Sequence, residues 1–430
     1  MQPIDLVSPG HALRRLRNAL TQARHDLAML RTAIRGDHPS PLVTRDPRPR
    51  AESTSARPAV VVPPDARTLR LTRLVQETPD ALTLHLEDTS GAPLRFEAGQ
   101  FLTFLLDVGG DTLRRSYSLS SSPLDGPGAS ITVKRIDGGR ASTWLHANAR
   151  EGMTLLALGP QGSFVVPERA SPRPRHLLLF AGGSGITPCL SIARTVLRAE
   201  PESRVTLTYG NRGHADIIFA AALDALREAH GARFVVRHAL EQPRPPQPHE
   251  TLLRESSTAV YEAGRLDRAA VARTLASIGA DASIGADAAE RAIFVCGPTP
   301  MMEAVCAELD AHGVPIEQVH LERFTSPEHP SGNRAELPPQ EITLRIGARD
   351  YALRTMRGQT ILDAAQKADA PLPFSCAVGG CGACKVKVLA GSVDVETPNC
   401  LTREERARGY VLTCVGRPTS ACTLIVEDGA

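Results

Sequence analysis

This chain of 430 residues has few lysines, little net charge and no long apolar run. Only four of its 49 basic residues are lysines, and the formal net charge is +2. A nearly neutral chain lacks the concentrated basic face of a nucleic-acid-binding protein. No apolar run reaches the roughly 18 residues that a membrane-spanning helix requires, and the N-terminus lacks the apolar core of a secretory signal. We therefore expect a cytoplasmic protein with no nucleic-acid partner and no membrane span.

A secreted disulfide framework is also absent, because the nine cysteines are spread over a long chain. In a reducing compartment, clustered cysteines are more often metal ligands than bridges. Hydrophobic residues make up 42% of the sequence, so packed cores can form, and the length allows about three domains.

Residues 1–65 differ in texture from the rest of the chain. Leucine, alanine and isoleucine recur at heptad spacing between residues 11 and 35, which predicts an amphipathic helix in the segment 1–35. Three interpretations stay open: a helix docked on its own body, a coiled-coil arm for self-association or partner docking, and an organellar transit peptide. Residues 36–65 are rich in proline, arginine, serine and threonine, which predicts a flexible linker.

Three further segments, each with its own residue pattern, follow along the chain. Residues 66–170 alternate short apolar strands with glycine and proline turns, which predicts an antiparallel barrel. Residues 171–325 alternate strands and helices, the pattern of a parallel α/β sheet. A proline-rich linker at 326–339 precedes a last domain of residues 340–430. The sequence thus predicts a multidomain protein that combines α+β and α/β folds.

The last domain carries a cysteine-rich loop. Cys376, Cys381 and Cys384 are spaced C-x4-C-x2-C, and Cys414 follows after 29 further residues. Thiolates are suitable ligands for iron and sulfide, and this spacing is that of plant-type [2Fe–2S] ferredoxins. A structural zinc site usually takes two separated C-x2-C pairs, and the loop supplies only one. These four cysteines are therefore the predicted ligands of a [2Fe–2S] cluster.

Four cysteines lie outside this pattern and outside the nucleotide motif described below: Cys189, Cys306, Cys400 and Cys422. We expect them to be small buried hydrophobic residues.

Residues 115–118 read Arg-Ser-Tyr-Ser and resemble the RxYS motif of the ferredoxin–NADP reductase superfamily. The resemblance implies that Arg115, Ser116, Tyr117 and Ser118 contact a flavin. Tyr117 would pack on the flavin ring and Ser118 would bond near the atom that receives hydride. The Arg115 guanidinium would pair with a flavin phosphate.

A second flavin segment begins at Lys134, where the sequence matches the phosphate-binding segment of the same superfamily. Gly138 and Gly139 precede Ser142 and Thr143 at a predicted helix start, and a helix N-terminus is a ready anion site. The resemblance implies that Lys134, Gly139, Ser142 and Thr143 bind the flavin phosphates. It favours FAD over FMN, although the phthalate dioxygenase reductase branch has the same domain order and uses FMN.

A glycine turn, Gly182-Gly183-Ser184-Gly185, directly follows the predicted strand His176–Phe180. Such a turn between a strand and a helix lets the backbone approach a pyrophosphate. Downstream, residues 296–302 read Cys-Gly-Pro-Thr-Pro-Met-Met and resemble the family's CGPxxMM segment, in which the cysteine lies against the nicotinamide. The resemblance implies a Rossmann-like domain that binds NADPH or NADH through Gly182, Gly183, Gly185, Thr187, Cys296, Gly297, Pro298 and Met301.

Three more positions come from the resemblance. Arg212 follows the predicted strand Val205–Tyr209, where relatives contact the adenine ribose. An arginine there favours a 2′-phosphate and hence NADPH, although NADH-using relatives also carry one. Glu322 and Phe324 lie in a segment that closes the domain beside the flavin in relatives. Glu322 would relay a proton or hold the nicotinamide, Phe324 would cover the ring, and the expected catalytic residues are Ser118, Cys296 and Glu322.

The order of flavin-binding barrel, nucleotide domain and β-grasp ferredoxin domain resembles the phenylacetate-CoA oxygenase reductases. It also resembles reductases of ring-hydroxylating oxygenases, ketosteroid hydroxylases and desaturases. The resemblance implies electron flow from NAD(P)H through FAD and a [2Fe–2S] cluster to a protein electron acceptor, namely an oxygenase, hydroxylase or desaturase. A hybrid-cluster or haem protein as the acceptor, and a redox-sensing or assembly role, are the alternatives.

Overall fold

The computed structural model describes residues 66–168, 173–243, 259–278, 291–315, 318–324, 337–374, 377, 379–380, 382–396, 399–401 and 403–427. The predicted N-terminal helix, the linker at 36–65, Cys376 and Cys381 lie outside these residues.

The first part of the described chain is an antiparallel barrel. Its strands hydrogen-bond in the order β4-β3-β6-β1-β2-β5, and every neighbouring pair is antiparallel. A bridge between Leu119 and Ile131 joins the two ends of this order, so the sheet curves onto itself. The elements are β1 (Arg67–Thr78), β2 (Ala81–Asp88), β3 (Phe101–Val108), β4 (Asp111–Ser118), β5 (Ala129–Lys134), α1 (Arg140–Asn148) and β6 (Thr154–Gln161).

The second part is a six-stranded parallel sheet in the order β10-β9-β8-β7-β11-β12. Strands of this kind are buried by helices on both faces, which explains the continuous apolar run of residues 177–181. The elements are β7 (His176–Gly182), α2 (Ile186–Ala199), β8 (Arg204–Asn211), α3 (Ala220–His230), β9 (Phe234–Leu240), β10 (Ala259–Ala263), α4 (Arg268–Ser277), β11 (Arg291–Cys296), α5 (Thr299–Ala311) and β12 (Val319–Glu322).

This strand order has a switch point between β7 and β11. The chain leaves β7 toward β8 on one side of the sheet and later returns to β11 on the other side. In open α/β sheets, ligands bind outside the carboxyl ends of the strands at such a point. The strand order therefore indicates a ligand site at the residues that follow β7 and β11, without reference to any sequence motif.

The third part has the mixed sheet of the predicted β-grasp domain, in the order β14-β13-β19-β15-β17, with β16 and β18 paired separately. Strands β13 and β19 are parallel, and the other pairs are antiparallel. The elements are β13 (Glu341–Ile346), β14 (Arg349–Arg354), α6 (Ile361–Lys367), β15 (Lys385–Ala390), β16 (Val393–Val395), α7 (Arg403–Ala407), β17 (Tyr410–Leu412), β18 (Gly416–Pro418) and β19 (Cys422–Val426). Helix α6 begins with a capping box between Thr360 and Asp363.

No helix among the described residues is long and apolar enough to cross a membrane.

The cysteines outside the ligand pattern divide into two pairs. Cys189 and Cys422 are buried, as expected, but Cys306 and Cys400 are only half-buried. The prediction for these two was wrong. On α5, the buried face holds Met302, Val305 and Leu309, and Cys306 stands one position beyond it. Cys400 lies at the edge of the cysteine loop, where a cavity opens beside it.

Candidate functional site

The glycine turn and the Cys296 segment pack tightly against each other at the switch point. A Cβ added to Gly185 would lie 2.1 Å from the Cys296 carbonyl oxygen. A Cβ on Gly182 would lie 2.6 Å from the Met301 sulfur, and Gly297 is equally confined by Met301. Only glycine fits at these positions, so the two predicted nicotinamide segments form one surface.

This surface continues along β12. Glu322 pairs with Cys296 in the sheet and ends β12, as Cys296 ends β11. The Ser118 hydroxyl, at the end of β4 in the barrel, donates a 3.0 Å hydrogen bond to the Glu322 carboxylate. Ser118, Cys296 and Glu322 are all buried. The structure thus brings the three predicted catalytic residues to the junction of the barrel and the parallel sheet.

Burial controls the charge state of this junction. It raises the pKa of the Glu322 carboxyl to about 8, and the hydrogen bond from Ser118 opposes the shift. Burial, with the nearby Glu322 carboxylate, also raises the pKa of the Cys296 thiol well above its usual value. Near neutral pH, Glu322 can therefore gain or lose a proton, whereas Cys296 stays a neutral thiol.

The rest of the RxYS motif lies on β4. The Tyr117 ring is half-buried, with its centroid 6.0 Å from that of Phe104. The Ser116 hydroxyl shares a 2.9 Å hydrogen bond with the Thr103 hydroxyl, so Ser116 holds the strand pair together. The Arg115 guanidinium donates to the Arg114 carbonyl oxygen at 2.7 Å. Tyr117 and Arg115 thus present a ring face and a cation on one strand, which fits a flavin.

Helix α1 offers an anion site in the second flavin segment. Its N-cap is Gly139, which provides no side-chain cap, so the first amides of the helix are left for another acceptor. A Cβ on Gly139 would lie 2.7 Å from the Ser142 hydroxyl oxygen. That hydroxyl accepts from the Ile136 amide at 3.2 Å, whereas Thr143 is exposed in the first turn. The uncapped amides fit a phosphate, and Ser142 shapes the loop that presents them.

A charged cluster joins the barrel to the glycine turn. The Lys134 ammonium would lie 3.2 Å from a Cβ on Gly183. Burial lowers the pKa of Lys134, as does the neighbouring Arg212. Arg212 forms an ion pair with Asp216 and lies 3.8 Å from Asp80 of the barrel.

Sequence reasoning missed Asp80 and Asp216. Asp80 lies in the turn between β1 and β2, where no motif marks it. It also binds Arg135, whose hydrogen bond lowers the pKa of the Asp80 carboxyl. Asp216 could have been found, because it lies four positions after Arg212.

Three more predicted cofactor-site residues, Thr187, Phe324 and Pro298, differ in their surroundings. Thr187 is buried on α2 and donates to the Ser184 carbonyl oxygen at 2.9 Å, so its hydroxyl stabilises the glycine turn. Phe324 follows β12 and is 46% exposed, which leaves its ring free to meet a ligand. Pro298 is the N-cap of α5 and packs beside Gly182.

Two of the four predicted cluster ligands can be located. The sulfur atoms of Cys384 and Cys414 lie 3.2 Å apart, and both residues are buried. The Gly379 amide donates to the Cys414 sulfur at 3.2 Å. Ala377, Gly379 and Gly382 have positive φ, the backbone region that favours glycine. Two converging thiols, of which Cys414 accepts a backbone N–H, fit a thiolate-bound cluster.

Comparison with known proteins agrees with this division of the chain. Residues 68–166 match the family described as oxidoreductase FAD-binding domain. Residues 179–307 match the oxidoreductase NAD-binding domain, and residues 347–419 match the 2Fe-2S iron-sulfur cluster binding domain.

Whole-chain relatives extend the match. The chain is 36% identical to one subunit of the 1,2-phenylacetyl-CoA epoxidase of Escherichia coli K12, over 84% of this chain and 97% of that protein. It is 32% identical to the ferredoxin reductase component of 3-ketosteroid-9-alpha-monooxygenase of Mycobacterium tuberculosis, over 84% of this chain and 95% of that protein. The crystal structure of phthalate dioxygenase reductase superposes with a TM-score of 0.53 at 25% identity, covering 84% of this chain and 98% of that one.

These matches establish an oxidoreductase that binds FAD, NAD(P)H and a [2Fe–2S] cluster and passes electrons between them. With Ser118 of the barrel bonded to Glu322 of the parallel sheet, the chain belongs to the ferredoxin–NADP reductase superfamily, in the group of oxygenase reductase components that end in a [2Fe–2S] domain.

Proposed function

We propose that this chain supplies electrons to a separate oxygenase, hydroxylase or desaturase protein. The relatives named above carry names of monooxygenase, epoxidase and dioxygenase systems. The observation that carries the proposal is the buried hydrogen bond between Ser118 and Glu322, because it joins the flavin strand to the nicotinamide side of the switch point. Electrons from NAD(P)H can therefore enter at this junction and leave through the C-terminal domain.

The flavin side would be held by residues of the barrel. We assign the flavin ring to Tyr117 and its phosphates to Arg115 and to the uncapped amides after Gly139. When bound, FAD links the two-electron chemistry of NAD(P)H to the one-electron chemistry of the cluster. Glu322, with a pKa of about 8, would hold or release a proton beside Ser118, whose hydroxyl orients the carboxylate.

The nucleotide side would be held at the switch point. We assign the pyrophosphate to the glycine turn and Lys134, whose ammonium faces Gly183. The nicotinamide would lie against Cys296, with Gly297, Pro298 and Met301 shaping the floor and Phe324 covering the outer side. The Arg212 side chain is 61% exposed at the end of β8, and this supports NADPH as the preferred donor, since the guanidinium can pair with a 2′-phosphate.

The cluster would be held by Cys376, Cys381, Cys384 and Cys414. Domain limits of 66–170, 171–325 and 340–430 are consistent with the three sheets. We also propose a cytoplasmic location, since a reducing compartment keeps clustered cysteines available as metal ligands.

The experiment is to mix the holoenzyme and NADPH with purified candidate acceptor proteins. We expect an oxygenase-like component to accelerate NADPH consumption and to form hydroxylated or desaturated product. The Cys414→Ser variant should abolish this acceleration. If only a hybrid-cluster or haem protein accelerates NADPH consumption, the acceptor belongs to that class and the oxygenase proposal is wrong.

A further inference from the structure

One side-chain contact joins the flavin barrel directly to the ferredoxin domain. The guanidinium carbon of Arg114 lies 4.9 Å from the centroid of the Phe374 ring. Arg114 lies on β4, one position before the flavin motif that starts at Arg115. Phe374 stands two positions before Cys376, at the start of the cluster loop. The contact therefore connects the strand that holds the flavin to the segment that holds the cluster.

Both partners are anchored within their own domains. Arg114 faces Leu105 in the register of β3 and β4, and its carbonyl oxygen accepts the Arg115 guanidinium. Phe374 is half-buried and packs against the apolar core of the ferredoxin domain. Pro371 and Pro373 restrict the backbone on either side of the buried Leu372. Each partner is thus held by its own domain, so the contact relates the position of the ferredoxin domain to that of the barrel.

The surrounding interface is not continuously packed. A cavity of about 490 Å³ opens between the three domains, lined by Phe164 of the barrel, by Glu322, and by Gly382 and Lys385 of the ferredoxin domain. Neither Arg114 nor Phe374 lines this cavity, so their contact joins the barrel to the ferredoxin domain at a separate point of the interface.

We propose that Arg114 is a positioning residue that docks the ferredoxin domain through Phe374 and thereby sets the rate of electron passage from flavin to cluster. An arginine over an aromatic face is held by electrostatic attraction to the ring, and the attraction is stronger where water is partly excluded. Losing it should lower the ratio of docked to undocked protein by about 2- to 30-fold. The acceptor protein takes no part in this step, because the step ends at the cluster.

The test compares Arg114→Met, Arg114→Lys and Phe374→Leu in holoenzyme with verified flavin and iron content. Stopped-flow absorbance after mixing with NADPH gives the rates of flavin and cluster reduction separately. Hydrogen–deuterium exchange of residues 370–374 reports docking without any turnover. Arg70→Met is the matched control, because Arg70 is an exposed arginine on β1 of the same barrel.

We expect Arg114→Met and Phe374→Leu to slow cluster reduction by about 2- to 30-fold, with unchanged flavin reduction and faster exchange at residues 370–374. Arg114→Lys should retain part of the rate, and the double variant should be no slower than the slower single variant. The proposal is overturned if exchange and cluster reduction match the wild type. It is also overturned if flavin reduction slows equally, if Arg70→Met has the same effect, or if the two substitutions are additive.

Discussion

Ser118 and Glu322 are 204 positions apart in the sequence, yet their side chains form a buried 3.0 Å hydrogen bond. Ser118 ends strand β4 of the barrel, and Glu322 ends the edge strand β12 of the parallel sheet. Burial raises the pKa of the Glu322 carboxyl, and the hydrogen bond from the neutral Ser118 hydroxyl lowers it. No cation among the described residues contributes to the shift. The charge state of Glu322 is therefore set mainly by burial and can be changed through one neighbour.

Removing the Ser118 hydroxyl should move the pH dependence of flavin reduction upward. The hydrogen bond from Ser118 stabilises the ionised carboxylate and lowers the pKa of Glu322, so Ser118→Ala should raise this pKa further above about 8. Stopped-flow rates of flavin reduction across neutral and alkaline pH measure the shift. Ser122→Ala is the control, because Ser122 also bonds across this junction, at 2.8 Å to Thr195, but does not contact Glu322. An unchanged profile, or the same shift in the control, would contradict the assignment.

Replacing Glu322 with glutamine should flatten the pH dependence of stability. The pKa is 4.5 for the ordinary carboxyl and about 8 in the folded protein. Between these values the folded state binds a proton that the unfolded state lacks, so the free energy of unfolding falls as the pH rises. Glu322→Gln removes the titrating carboxyl and therefore removes this fall in the free energy of unfolding. Urea unfolding at several pH values, followed by circular dichroism, measures the free energy of unfolding, which should fall less steeply with pH in the variant than in the wild type. If the two curves run parallel, the raised pKa of Glu322 is refuted.

A methyl group at Gly185 should damage the nucleotide site. The added Cβ would lie 2.1 Å from the Cys296 carbonyl oxygen, and both partners are backbone, so one segment must shift. Overpacking of this kind typically costs about 1–3 kcal/mol. We expect Gly185→Ala to raise the dissociation constant for NADPH and to lower the thermal midpoint. In the control, Gly213→Ala, the nearest atom to the new Cβ is 3.4 Å away. Normal NADPH binding by Gly185→Ala would show that the turn does not form the site.

Arg212→Ala should change the choice of coenzyme. If its guanidinium pairs with the 2′-phosphate, kcat/KM for NADPH should fall about tenfold or more, while the value for NADH changes little. The matched variant Asp216→Ala removes the carboxylate that now pairs with Arg212 and should shift the preference toward NADPH. Steady-state kinetics with both coenzymes measure the ratio. An equal loss for both coenzymes would assign Arg212 to the shared part of the nucleotide.

Local motifs were the predictable part of this site. The strand expected at His176–Phe180 forms as His176–Gly182, and the glycine turn and Cys296 fall where the pattern requires. Each depends on near neighbours in the sequence, such as a strand followed directly by a glycine turn.

Contacts between distant elements could not be predicted in the same way. The approach of Asp80 to Arg212, and that of Arg114 to Phe374, depends on how separate sheets are placed, and no local spacing encodes that placement. The half-burial of Cys400 has the same origin, because the cavity beside it is lined by residues of all three domains.

The order in which the cofactors are reduced tests the central claim most directly. Holoenzyme with about two iron atoms per flavin should be mixed anaerobically with NADPH, and flavin and cluster absorbance should be followed together. We predict that the flavin bleaches first and the cluster second. In Cys414→Ser, which removes one of the two converging thiols, the flavin should bleach at the wild-type rate with no cluster signal. Cluster reduction that precedes flavin reduction, or that persists in this variant, would contradict the account.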